Sequence, residues 1–262
     1  MSDNDLHWTS AITQIKPNEV RLRGYRIDEL MGQVTFAQAI FLALVGHLPT
    51  PEVGRLLDAM LVASIDHGVT PPSTLAARTA ASTGAPLNAA LAVGILSINR
   101  HHGGAIEDAL RIIQQVAARI ETDAIPVSQA ADDLVATYRT EGKRLPGLGH
   151  RLHTNDPRTI RLFALAEEAQ LNGSGVKIIQ ALSDSLAQQT QRRLPVNVDG
   201  ALAALLFDLG IAPELANAFF MMARLPGLVA HIHEEQTRER PVRPIHPTDH
   251  DYDGPENTSI GG

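Results

Sequence analysis

The chain has 262 residues, of which 44% are hydrophobic, 19% charged and 4% aromatic, a composition that supports one large domain or two smaller ones around a packed core and excludes a disordered chain. Twenty-two Lys and Arg against 29 Asp and Glu leave a formal charge of −7, so the overall field repels nucleic acid and anionic lipid, and an anionic substrate needs a local cluster of cations. The absence of cysteine excludes disulfides, thiolate metal sites and cysteine nucleophiles.

Met1 to Ser10 has neither the basic nor the apolar segment of a secretory signal. The apolar stretches Phe36 to Val45 and Ala201 to Phe207 fall short of the ~18 residues that a membrane span requires. No membrane and a cytoplasmic location are therefore expected. In chain order, Glu19 to Arg23 is the first short strand candidate. Thr35 stands three residues before Gln38, at capping-box spacing, and predicts a helix over Phe36 to Val45 that Gly46 ends. Thr50 with Pro51 opens a second helix, whose apolar positions recur until Gly68 and which places His67 at its C-terminal end.

Ser73 is expected to cap a third helix, and Leu87 to Ile98, apolar nearly all round, reads as a buried fourth. Ala105 to Ile120 and Ser128 to Glu141 keep helical spacing. Asp156 with Pro157 heads Ile160 to Ala169, Ser174 heads Val176 to Ala187, and Asp199 stands before Ala201 to Leu209. The other strand candidate lies around Val196 to Val198. The fold class is mainly α, without a solenoid repeat or low-complexity linker, and the polar tail from Pro241 to Gly262 is expected to be extended or partly disordered unless docked.

The breaks between these helices gather ionisable groups: His67, His101, His102, His150 and His153. An isolated histidine is more often structural than catalytic, but position gives these more weight. His102 precedes Gly103 and Gly104 at a helix head, where protonation is disfavoured and a neutral ring donates one N–H, a property that suits an enol. His150 follows Gly147-Leu-Gly149, where glycines let backbone come close to a ligand, although a plain Gly-rich turn reads the same way. Asp199 either caps its helix or, facing an apolar cleft, serves as a general base. Arg158, Arg224 and Arg240 supply planar donors of the kind a polycarboxylate needs, with Arg238 and Arg243 as rivals to Arg240.

Other chemistries find less support. Gly147-Leu-Gly149 lacks the rest of a dinucleotide fingerprint. His231-Ile-His-Glu234 and His150-Arg-Leu-His153 miss metalloprotease spacing, so no metal is expected. No nucleophile elbow or phosphate loop is present, and no basic recognition stripe marks a helix-turn-helix regulator.

Taken in order, Leu22-Arg-Gly-Tyr-Arg-Ile-Asp-Glu-Leu30, Gly46-His-Leu-Pro-Thr50, Ile65-Asp-His67, His102-Gly-Gly-Ala105, Pro146-Gly-Leu-Gly-His-Arg151, Asn155-Asp-Pro-Arg158 and Asn197-Val-Asp199 resemble the motifs of the citrate synthase superfamily. The likeness extends over nearly the whole chain and is nearest to citryl-CoA lyases, both short stand-alone forms and the module that ends ATP-citrate lyases. His101-His102 and Asn155 to Arg158 are the synthase-like choices at their positions. The family spacing selects His102, rather than the adjacent His101, as the inward-pointing residue.

The resemblance implies an all-α fold with a large domain, residues 1–105 and 206–262, and a smaller inserted domain, 106–205, that closes over substrate. It implies that Asp199 exchanges a proton with the acetyl-CoA methyl group, that His102 donates to the thioester oxygen of the enol, and that His150 serves the oxaloacetate carbonyl. His67, Arg158, Arg224 and Arg240 would grip carboxylates, Arg240 from a neighbouring subunit of an obligate homodimer. Gly147, Leu148, Gly149 and Arg151 are the expected coenzyme A contacts. The thioester is a substrate, and no permanently bound cofactor is implied. The expected activity is cleavage of citryl-CoA to acetyl-CoA and oxaloacetate, with citrate or 2-methylcitrate synthesis as the alternative. A non-catalytic sensor of a CoA ester or tricarboxylate is the reading from another class.

Overall fold

A computed structural model describes residues 8–149, 154–171, 173–243 and 251–255. His150, Arg151 and His153, and most of the tail after Arg243, lie outside the described residues. The chain is mainly helical, and it divides into two compact units: residues 1–67 with 98–226, and residues 68–97 with 227–262.

The first unit opens with a small antiparallel sheet of β1 (Thr13–Lys16), β2 (Glu19–Leu22) and β3 (Tyr25–Arg26) in that order. The strand expected at Glu19 is β2, and its partner β1 escaped the sequence reading because all four of its residues are exposed. Arg23 and Gly24, at φ 49° and 90°, form the two-residue turn between β2 and β3, a left-handed geometry that matches the twist of a hairpin. The Arg23 guanidinium then donates to the carbonyl of Ala43 at 2.9 and 3.1 Å. That carbonyl belongs to the last turn of α2 (Phe36–Val45), where carbonyls lack helical partners.

After the short α1 (Ile27–Leu30), α2 begins with the expected capping box between Thr35 and Gln38 and ends at Gly46, φ 98°. Thr50 caps α3 (Pro51–Ala63). That helix stops earlier than its apolar pattern implies, so His67 lies four residues beyond it rather than in its last turn.

The rest of the unit is built around α10 (Val198–Asp208), in which Gly200 to Leu206 are buried without interruption. Around it pack α6 (Ala105–Asp123), α8 (Pro157–Glu168) and α9 (Ser174–Thr190), with α7 (Val127–Thr140) against α6 and α9. Such an all-round apolar helix gains stability on every face. Ser174 does not cap α9; the N-cap is Gly173. The carboxylate of Asp208, at the end of α10, accepts from the N–H groups of Gly175 and Val176 at 2.7 and 3.4 Å. Glycine is required there because a Cβ at 175 would lie 2.4 Å from the Ala204 carbonyl.

The second unit contains α4 (Pro72–Ser82), α5 (Leu87–Leu96) and the end of α11 (Pro213–Arg238), which the chain enters at Gly227. Ser73 is not a cap: Pro71 takes that place and Ser73 is buried inside the first turn. Nor is α5 buried all round, for only Ala90 and Gly94 are covered. Gly94 lets α5 approach Ala77 and Leu228, each 3.1 Å from where a Cβ would stand. Leu96 on the other side is 75% exposed.

By length and composition α11 could cross a membrane, but Phe219, Phe220, Ala223, Leu228 and Ile232 on it are buried in protein, as in a core helix. Its His231 and Glu234, metal-capable in sequence, face Arg78, whose guanidinium also donates to Glu235 at 2.7 Å.

Candidate active site

The residues around His102 owe their path to two glycines. Asn99 and His102 exchange N–H to carbonyl bonds of 2.9 Å each, closing a tight turn. At Gly103, φ +85°, a Cβ would stand 2.6 Å from Ile98 and 2.8 Å from Phe220, and at Gly104 it would stand 2.6 Å from the Arg100 carbonyl. Only glycines allow the chain to fold this closely and enter α6 immediately. The turn leaves His101 exposed and His102 partly buried. The His102 ring meets the Phe220 ring edge to face, centroids 5.8 Å apart. Burial, with Arg224 and His67 adding to it, pushes the His102 pKa down, so the ring is neutral at pH 7.

Asp199 stands in the first turn of α10, yet it does not cap that helix. Asn197 does, its side-chain oxygen accepting from the Gly200 N–H at 3.1 Å. The open choice between cap and base is thereby settled against the cap. Asp199 keeps an accessible edge, but surrounding protein raises its pKa; Arg158 and Arg224 oppose that rise and the Asp156 carboxylate adds to it. Burial is the dominant cause, so the carboxyl holds its proton to higher pH than an ordinary aspartate.

The arginines arrive from two helices. Asp156 caps α8 and holds Arg158 in a two-pronged bond, Nε to Oδ1 at 3.0 Å and Nη2 to Oδ2 at 2.8 Å. Arg224, 3% exposed, extends from α11, its guanidinium 4.8 Å over the Phe220 ring. Its Nε donates to the Ser64 carbonyl at 3.0 Å, while its Nη1 and the Ser64 hydroxyl are buried without a partner among the described residues. An unsatisfied buried guanidinium nitrogen is costly in a finished structure and fits a position awaiting an anionic group. Asp66 and Asp199 partly offset the burial that lowers the Arg224 pKa.

The structure thus gathers His67, His102, Asp199, Arg158 and Arg224 into one electrostatic group within the first unit. Arg240 is exposed in the second unit. Its rivals are engaged, Arg243 with Glu235 and Glu239, and Arg238 with Glu234.

Gly147, Leu148 and Gly149 pair with the segment before α10. The Gly149 N–H donates to Pro195, and the Asn197 N–H donates to Gly147, at 2.7 and 3.0 Å. The expected approach of backbone at Gly147 is an approach to Gly200, since a Cβ at 147 would lie 2.7 Å from the Gly200 Cα. Three contributors escaped sequence reasoning: Phe220, Ser64 and Asp156 in its role toward Arg158. Only Asp156 left a signal, its cap spacing.

Among known proteins, the family model for the citrate synthase C-terminal domain matches residues 49–245. The structure of citryl-CoA lyase from Hydrogenobacter thermophilus is similar at a TM-score of 0.88 and 40% identity, covering 97% of each chain. The probable ATP-citrate synthase of Dictyostelium discoideum is 25% identical over 85% of this chain and 36% of its own length. A citrate synthase of Haloferax volcanii is 30% identical over 77% of this chain and 52% of its own. The chain therefore spans between about a third and a half of these two curated relatives. The fold, the order of the motifs and a family match over most of the sequence lead to one conclusion: the chain belongs to the citrate synthase family.

Proposed function

We propose that the protein cleaves citryl-CoA to acetyl-CoA and oxaloacetate through an acetyl-CoA enol. The observation that carries this reading is that a carboxyl, Asp199, and an imidazole, His102, both partly buried, face the guanidinium of the buried Arg224. The likeness along the full length of both chains to a citryl-CoA lyase favours cleavage over synthesis.

In the proposed sequence His150, outside the described residues, accepts the hydroxyl proton of the citryl group as the carbon–carbon bond breaks. The released oxaloacetate keeps its carboxylates on Arg158, Arg224 and His67. His102 stabilises the enol oxygen, a role for which a preorganised donor is worth most in a dry site. The electron pair of the broken bond collects on the thioester oxygen, to which His102 lends its N–H hydrogen. Asp199 then delivers its proton to the terminal carbon as that hydrogen returns to His102. This leaves acetyl-CoA, the hydroxyl proton on His150 and an ionised Asp199 that is reprotonated from solvent as His150 releases its proton.

Gly147, Leu148, Gly149 and Arg151 are the proposed coenzyme A contacts. Closure by the segment 106–205 belongs to the same proposal, supported by the mutual packing of α6, α7, α9 and α10. So does a homodimer to which each partner lends Arg240; the exposed Val93 and Leu96, adjacent on α5, support it. A cytoplasmic location completes the reading.

Incubation with citryl-CoA decides the matter: oxaloacetate and acetyl-CoA in equal amounts are expected. Citrate formed from acetyl-CoA and oxaloacetate at a higher rate would establish the synthase reading instead, which the synthase-like His101-His102 pair favours. Calorimetric binding of CoA esters without turnover would return the sensor.

A further inference from the structure

We infer that Asn197 is a positioning residue for the proton transfer at Asp199, an inference that rests on the function proposed above. Its side chain does two things at once. The amide oxygen accepts from Gly200 at 3.1 Å and completes the first turn of α10. The amide nitrogen donates to the Gly149 carbonyl at 2.8 Å, and the backbone N–H donates to Gly147 at 3.0 Å. One residue therefore ties the loop 147–149 to the helix start on which Asp199 stands.

The tie has little slack. Gly147 and Gly200 meet backbone to backbone, and a Cβ at 200 would lie 2.3 Å from the Gly147 carbonyl. A shift of the loop is thus transmitted to the residue next to Asp199. The cap matters for a second reason: free N–H groups in a first helical turn attract carboxylates. With the Gly200 N–H already satisfied by Asn197, one such competitor for the Asp199 carboxyl is removed. Thr159 adds a lateral brace, its hydroxyl donating to the Val196 carbonyl at 3.1 Å.

Two substitutions separate positioning from simple capping, because serine and aspartate are both good N-caps and neither carries the amide donor. In Asn197→Ser the cap survives and the tie to Gly149 is lost. In Asn197→Asp a carboxylate oxygen also faces the Gly149 carbonyl, and a second negative charge stands near Asp199. The assay is citryl-CoA cleavage by the full chain, with kcat and KM measured across pH and a melting curve for each variant.

A positioning role gives a fall in kcat of about tenfold for Asn197→Ser, little change in KM and a melting temperature close to that of the unaltered protein. For Asn197→Asp it also moves the pH limb due to Asp199 toward higher pH. Unchanged kcat and pH profile in both variants, beside an active unaltered protein, overturns the inference alone. An unaltered protein that does not cleave citryl-CoA overturns the functional reading and this inference with it.

Discussion

Asp199 and His102 are both placed where charge is disfavoured, and this has consequences for stability as well as chemistry. The folded-state pKa of Asp199 lies above its ordinary value of 3.8. The folded state is therefore favoured when the group is protonated, and that advantage is lost as pH rises through the raised value. Asp199→Asn, which cannot ionise, should melt a few degrees higher than the unaltered protein near pH 8, with the difference vanishing near pH 4. The same variant should lose about 100-fold or more in citryl-CoA turnover. His102→Ala should lose about 100-fold in kcat, in line with removal of one oxyanion-type donor. These residues were visible in sequence as candidates, but their environment was not. The alternative of a capping Asp199 fell only because Asn197, two residues earlier, takes that bond.

Among the elements, α10 is the one on which the first unit depends, and its burial is legible in the uninterrupted apolar run from Ala201 to Phe207. Leu205 is fully buried, so Leu205→Ala should cost about 2–5 kcal/mol in denaturant unfolding. Asp208→Ala, which removes the cap of α9, should cost about 1 kcal/mol. The caps of α2, α3 and α8 were readable because Thr35, Thr50 and Asp156 act on residues two or three positions away. The cap of α9 was not, because its acceptor comes from 33 residues further along the chain. β1 was missed for a related reason: no buried face imposes alternation on it.

For the molecule as a whole, the exposed side of α5 carries the proposed dimer. Val93 and Leu96 are exposed there, and a charge beside them should oppose association. Leu96→Glu is expected to convert a dimer to a monomer by light scattering, with the melting temperature falling as protein concentration is lowered. A monomer in the unaltered protein would refute the shared site and leave Arg240 without its role.

The helical class, most helix starts, the family and the cast of ionisable residues are legible along the chain, because periodicity, caps and ordered short motifs are local properties. Packing between distant segments is what turns His102 rather than His101 inward, makes Gly147 a glycine for the sake of Gly200, and sets Phe220 against both His102 and Arg224. Each of these depends on groups far apart in the chain meeting within a few ångströms, and hydrophobic pattern does not encode such distances.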